Sequence, residues 1–379
     1  MTPDLGAARR IVIKIGSALI ADPETAMPRA EWLAGVARDI AELAGRGAEV
    51  IVVSSGAIAL ARRLLNLGAG RLRLEEKQAA AAVGQIRLAQ AWSEALSAHG
   101  LAAAQLLLTL EDTEDRRRYL NARATLRTLL GLGCVPVINE NDTIATAEIR
   151  FGDNDRLAAR VAEMMQADIL ILLSDIDGLY TADPRKHPEA GHIPVVAAIT
   201  PEIDAMGGEP PPGYSSGGMR TKLLAAHIAT RSGCAMAIAF GGRLNPIKAL
   251  TQGAKCTWFL PSPEGRGARK NWIAGHLAPL GAFTVDAGAA RALAKGSSLL
   301  PAGIRSVSGS FERGDAVDVL NQSGERIGRG LTAYSSRDAA IIAGHRSEDF
   351  ESLLGWRGRD EAIHRDDLVI FMRRKSQTG

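Results

Sequence analysis

Arg10-Ile-Val-Ile-Lys-Ile-Gly-Ser17 is the stretch whose reading decides the fold. Its β-branched run is that of a strand buried on both faces, and a lysine and then a glycine stand at its carboxyl end. Glu49-Val-Ile-Val-Val53 repeats the pattern and runs into Ser54-Ser-Gly-Ala57. Between the two, Trp32, Leu33, Val36, Ile40 and Leu43 recur at helical spacing, which predicts a helix over 29–46. The alternation continues: a helix over 75–99, a strand at 103–108, a helix at 119–130, and strands at 134–138 and 168–173 flanking a helix from about 156. Strands alternating with helices predict an α/β fold, a three-layer sandwich around a mainly parallel central sheet. Ligands of such sheets bind beyond the carboxyl ends of the strands, so the residues just after each strand carry the functional reading.

Length and composition bound what surrounds this core. The chain has 379 residues, enough for two domains, with 46% hydrophobic and 23% charged residues. Its apolar runs are strand-length, so no membrane span is expected, and the early Asp4 followed by a strand-like run predicts no signal peptide. Cys134, Cys234 and Cys256 lie far apart with no CxxC pair, which argues against disulfides and zinc and for a cytoplasmic setting. Pro261-Ser-Pro-Glu-Gly-Arg-Gly-Ala-Arg-Lys270 breaks the pattern. Beyond it come short runs such as Phe283-Thr-Val285, Ile304-Arg-Ser-Val307, Ala316-Val-Asp-Val-Leu320 and Arg326-Ile-Gly-Arg329, which predict a small, mostly β domain. The expected divisions are 1–260, a linker at 261–279, the β domain at 280–358 and a tail at 359–379. Residues 281–358 hold nine Lys/Arg and nine Asp/Glu, a neutral balance that gives no support for nucleic-acid binding.

Several strand ends carry chemistry. Lys14 interrupts an apolar strand; alone it reads as a lysine snorkelling to water, but with Gly16 two residues on it suits a phosphate. Ser55-Gly56 opens a helical run, either a routine cap or a place where backbone N–H groups meet an anion. Ser216-Gly-Gly-Met-Arg-Thr-Lys222 is a Gly-rich turn entering a helix, without Walker A spacing. Asn139, Asp142, Asp153, Asn154 and Asp155 concentrate polar groups at adjoining strand and helix ends. They suit turns, but Asp142 could also hold a substrate ammonium, and Asn154 both amino and carboxylate groups. Asp153 and Asp155 could orient the lysines or reach a nucleotide-bound Mg²⁺ through water. Asp175, after the strand at 168–173, is a candidate for nucleotide contact. His99, His187, His192, His227 and His276 have no nucleophile or metal spacing around them and read as structural or surface.

Taken together, these motifs resemble the glutamate 5-kinases of the amino-acid kinase superfamily. The matching stretches include Val12-Ile-Lys-Ile-Gly-Ser17, Ser55-Gly-Ala-Ile-Ala59, Ala82-Val-Gly-Gln85, Tyr119-Leu-Asn-Ala-Arg123 and Pro136-Val-Ile-Asn-Glu-Asn-Asp142. Ala147-Glu-Ile149, Gly152-Asp-Asn-Asp155, Gly178-Leu-Tyr-Thr-Ala-Asp-Pro184 and Gly217-Gly-Met219 continue the match. Thr284-Val-Asp-Ala-Gly288, Gly296-Ser-Ser-Leu-Leu-Pro301 and Arg313-Gly-Asp315 look like a PUA domain, and His364-Arg-Asp-Asp367 matches the tail.

The resemblance implies ATP-dependent phosphorylation of the γ-carboxylate of L-glutamate, the first step of proline biosynthesis. It implies that Lys14, Lys222 and Asp155 are catalytic and that Ser55, Asp142 and Asn154 bind glutamate. Lys14, Ser174, Asp175, Ser216, Gly217, Gly218, Met219, Arg220, Thr221 and Lys222 would bind ATP, with Mg²⁺ as cofactor and metal ligands unassigned. A homo-oligomer is implied as well, with a glutamyl-phosphate reductase to take the product. Ala18, Ser174, Ser216 and Arg220 depart from the residues common at their positions, and Arg220 bears on nucleotide affinity. The rival readings are a sibling kinase for aspartate, acetylglutamate, carbamate or UMP, and an RNA-binding regulator built on the PUA-like part.

Overall fold

Side chains alternate across a strand, and β1 (Arg10–Ile15) uses both of its faces. Ile11, Ile13 and Ile15 enter one hydrophobic core and Val12 enters another, with Lys14 next along the Val12 face. The computed structural model describes residues 2–68, 70, 72–144, 154–208, 218–263, 265 and 278–371. It divides into two compact units, Met1–Arg266 and Gly267–Gly379.

In the first unit β1 is followed by α1 (Ala30–Gly45), β2 (Glu49–Ser54), α2 (Ala57–Arg62), α3 (Leu74–Ser97) and β3 (Ala102–Leu108). Then come α4 (Arg116–Gly131), β4 (Cys134–Glu140), α5 (Asn154–Met165), β5 (Ile169–Ser174) and β6 (Val195–Val196). The unit closes with α6 (Met219–Arg231), β7 (Ala235–Phe240) and β8 (Cys256–Phe259). Among the described residues these strands form one sheet in the order β3-β4-β2-β1-β5-β7-β8-β6. All neighbours are parallel except β7 and β8. The sequence reading did not reach β6, β7 or β8. Ala235–Phe240 has small residues on one face, and β6 is too short to show a period.

Helices cover both faces, because both strand faces are apolar. Trp32 and Leu33 of α1 and Leu88 and Trp92 of α3 pack on one core; Leu157 and Val161 of α5 and Leu223 and Ala226 of α6 pack on the other. The result is the expected three-layer sandwich. From β1 the chain runs to one side for β2, β3 and β4, then crosses back to lay β5 on the other side. That reversal opens a crevice at the carboxyl end of β1, where Lys14 lies.

The second unit has its own sheet, in the order β10-β9-β11-β12-β13. Its strands are β9 (Gly281–Val285), β10 (Ile304–Gly309), β11 (Ala316–Leu320), β12 (Arg326–Leu331) and β13 (Leu368–Ile370). Phe283, Phe311, Tyr334 and Phe350 anchor its core, with the Phe283 and Phe311 rings edge-on at 5.5 Å. One finding differs from the sequence reading. Residues 368–370, read as tail, pair with β12 as the last strand, and Leu299 bridges to Ile363. A three-residue apolar run is too short to announce itself as a strand; Gly328 and Gly330 on β12 give its backbone room, since a Cβ there would stand under 3 Å from the Val369 or Asp367 carbonyl oxygen. Among the described residues no helix is long and apolar enough to cross a membrane.

Candidate active site

β1, α5 and α6 bring together three charged side chains from distant parts of the chain. Lys14 Nζ lies 2.6 Å from Asp155 Oδ1, and Lys222 Nζ lies 3.1 Å from Asp155 Oδ2. All three are buried, Asp155 completely. Thr221 Oγ1 stands 3.0 Å from Asp155 Oδ2. Burial pushes the Asp155 carboxyl up, but the ammonium groups of Lys14 and Lys222 outweigh it and hold the pKa down at about 2. Among the described residues two buried ammonium groups therefore share one carboxylate, leaving a positive charge in excess. Such a surplus is stable only where an anion comes to meet it. The Gly16 backbone is ordinary, and a Cβ there would make only ordinary contacts, 3.8 Å from the Leu173 carbonyl oxygen and 4.0 Å from Lys14 Nζ.

Asn154 immediately precedes Asp155 on the first turn of α5 and faces a different group. Its Nδ2 donates to Ser55 Oγ at 2.6 Å and to Asn139 Oδ1 at 3.1 Å. Asn139 Nδ2 donates to Gln85 Oε1 at 2.7 Å. Ser55 is tied to β1 through its N–H to the Ile15 carbonyl, and the turn behind it relies on Gly56, whose φ of 115° suits glycine. Asp142 lies two residues past β4, half-buried. Burial pushes its carboxyl up to about 6, against a weaker downward pull from Lys77. Ser55, Asn154 and Asp142 thus sit at the ends of β2, α5 and β4, around the same crevice as the lysines.

The residues read as nucleotide-binding fall partly inside the described set. Ser174, buried at the end of β5, donates to Asp175 Oδ1 at 3.0 Å, and Arg185 meets Asp175 Oδ2 at 2.7 Å. Burial works to raise the Asp175 pKa, but the Ser174 hydroxyl and the Arg185 guanidinium outweigh it and hold it below the usual carboxylate value. Beside them lies a cavity of about 380 Å³ lined by Asp175, Arg185, Phe240, Arg243, Pro246 and Lys255, among others. Gly218 caps α6, Met219 is half-buried, Arg220 is exposed and Thr221 and Lys222 turn inward to Asp155. Asp153, Ser216 and Gly217 lie outside the described residues, as do the 147–149 stretch and most of the linker.

Sequence reasoning gave no role to Gln85 or Arg185, and none to Asn139 beyond a place in a polar cluster. Gln85 sits on the exposed-to-buried border of a long helix, where a glutamine is ordinary. Its only signal was the Ala82-Val-Gly-Gln85 motif. Gly84 supplies the physical reason: a Cβ there would stand 1.7 Å from the Ala57 carbonyl oxygen, so only glycine lets α3 close on α2.

Residues 9–239 match the amino acid kinase family and residues 281–354 match the PUA domain. The glutamate 5-kinase of Gluconobacter oxydans is 65% identical over 97% of this chain and 97% of its own. That of Paramagnetospirillum magneticum is 62% identical over 98% of this chain and 100% of its own. The chain belongs to the glutamate 5-kinase family. It is accordingly an enzyme, a kinase, with a carboxy-terminal PUA domain. Among solved structures, a UMP kinase from Ureaplasma parvum matches 66% of this chain and 98% of its own, at 15% identity and a TM-score of 0.46, a likeness too distant to inform the substrate.

Proposed function

We propose that the enzyme transfers the γ-phosphoryl group of ATP to the γ-carboxylate of L-glutamate, giving L-glutamyl 5-phosphate, the first step of proline biosynthesis. The observation that carries this is the adjacency of Asn154 and Asp155. One turn of α5 joins an amide site suited to the amino-acid end of the substrate to a cationic site suited to a phosphoryl group. Free glutamate has a charged amine at one end and a reactive carboxylate at the other, as this polarity requires.

The acceptor carboxylate is ionised at neutral pH, so no general base is needed. The barrier lies in bringing two anions together and in stabilising charge on the phosphoryl oxygens. Lys14 and Lys222 would stand on the transferred group, and Asp155 would hold both ammonium groups in place while neutralising only one of the two charges. Ser55, Asp142 and Asn154 would fix the amino-acid end, so that the carboxylate meets the phosphoryl group in line. Ser174 and Asp175, with Ser216, Gly217 and the Gly218-to-Lys222 start of α6, would take the nucleotide, and the cavity beside Asp175 would receive part of it.

Among the described residues no group of three His, Cys, Asp or Glu side chains is placed to hold a metal. Mg²⁺ would arrive on the nucleotide phosphates and supply further neutralisation there. The acyl phosphate product is labile, so a glutamyl-phosphate reductase would consume it promptly, and a homo-oligomer is the expected assembly.

The test is an ADP-release assay over L-glutamate, L-aspartate, N-acetyl-L-glutamate, carbamate and UMP, with hydroxylamine to trap acyl phosphate as hydroxamate. Glutamate-dependent ADP release with matching hydroxamate is expected. Preference for any other acceptor overturns the proposal.

A further inference from the structure

Asn154 is 9% exposed, and both of its amide N–H groups are in use, one on Ser55 and one on Asn139. Its Oδ1 is buried and accepts no hydrogen bond among the described residues. A buried acceptor left in that state is destabilising unless a donor arrives. Asn139 is held in turn, with its Nδ2 on Gln85 Oε1. A primary amide offers donors on one side and an acceptor on the other. The three amides therefore run in one sense: the Gln85 acceptor turns the Asn139 donor outward, and the Asn139 acceptor claims an Asn154 donor. What remains for a ligand is the Asn154 carbonyl oxygen.

We infer that Gln85 is a positioning residue which, through Asn139, holds the Asn154 carbonyl oxygen toward the substrate, so that the site selects a ligand presenting an N–H donor there, an α-ammonium group. The reverse sense, with Gln85 donating, would leave Asn154 offering N–H and would favour a carboxylate or carbonyl in the same place. Asp142, a second acceptor at the same crevice, agrees with the first sense. Gly84 makes the arrangement possible, because the close seating of α3 on α2 places Gln85 within reach of Asn139. This rests on the reading of the acceptor as glutamate.

The experiment uses the full-length enzyme and compares L-glutamate with glutarate, the same dicarboxylate without the amine. The KM for glutamate, the KM for ATP and the inhibition constant of glutarate are measured for the wild type, Gln85→Met and Gln85→Glu. In Gln85→Met the KM for glutamate is expected to rise about tenfold, the loss of one hydrogen bond's worth of orientation. Glutarate inhibition and the ATP constant stay put, so the preference for the amine shrinks by the same factor. Gln85→Glu has only acceptors to offer, keeps Asn139 in its sense and restores the preference.

Equal weakening of both dicarboxylates in Gln85→Met overturns the inference, since a merely structural role predicts that. A Gln85→Glu variant as impaired as Gln85→Met also overturns it, since the amides would then run the other way. Should Gln85→Met fail to fold, Gln85→Lys, which offers only donors, takes its place with the same expected loss of preference. A wild-type enzyme without glutamate-dependent ADP release refutes the substrate reading instead, which separates the two failures.

Discussion

Each of the two units ties an aspartate to two cations, and the difference between the two clusters shows what makes one of them a site. In the carboxy-terminal unit Asp318 and Arg329 face each other across β11 and β12, with Arg329 Nε 2.7 Å from Asp318 Oδ1. The second cation there, Arg326, is 3.9 Å away, half in water, and rests over the Phe371 ring. Its charge is half in water, and the Asp318–Arg329 pair is made between two neighbouring strands. In the amino-terminal unit Lys14, Asp155 and Lys222 come from three separate elements, and both cations are buried. Among the described residues one carboxylate is shared by both cations, and a surplus so shielded from water suits an anionic ligand. A buried ion pair alone is a structural feature; a buried excess of charge at strand ends is a request for a ligand.

The strongest way to break this contrast is Lys222→Met, which keeps the stem and removes the charge. A fall in kcat of roughly 10²-fold or more is expected, the loss of one transition-state donor, with an unchanged circular dichroism spectrum. Near wild-type kcat would remove Lys222 from the mechanism.

Asp142→Asn probes the other half of the site. The KM for glutamate should rise roughly thirtyfold, about 2 kcal/mol for an ammonium deprived of its carboxylate, while the KM for ATP moves little. The pH profile sharpens this. Burial holds the Asp142 carboxyl at about 6, so its ionised form is lost as pH falls through that value. The wild-type kcat/KM for glutamate should therefore decline below pH about 6, and Asp142→Asn should lose that decline. Stability moves oppositely: the folded-state pKa lies above the ordinary 3.8, so ionising the group lowers stability as pH rises toward 6. Asp142→Asn should relieve that penalty in thermal melts above pH 6.

Two smaller effects concern the carboxy-terminal unit. A chain ending at Arg266 should fold and keep kinase turnover of the same order, because every residue assigned to the chemistry precedes it and the unit has its own core. Loss of activity in a truncated chain with intact circular dichroism would place support for the site beyond Arg266. Asp318→Asn should lower the stability of its own unit by about 1–3 kcal/mol and leave kcat unchanged. A fall in kcat with Asp318→Asn would erase the distinction drawn between the two clusters.

The sequence by itself determined the sandwich and most of the candidate residues. Period-two and period-3.6 patterns report which faces are apolar, and the rule that ligands sit at carboxyl ends of parallel strands turns Lys14, Ser55, Asp142 and Asp175 into candidates. It also marked Asp155 and Lys222 within their motifs. Only the tertiary structure decided that Lys14 and Lys222 divide the two oxygens of one buried aspartate, because residues so far apart in the chain meet only once β1, α5 and α6 are packed. The same holds for Gln85, whose part depends on the direction in which its amide points. A string of residue types carries no direction; the hydrogen-bond partners on neighbouring elements set it. Leu368–Ile370 became a strand for a like reason: three apolar residues have no period of their own, and β12 supplied the edge to which they pair.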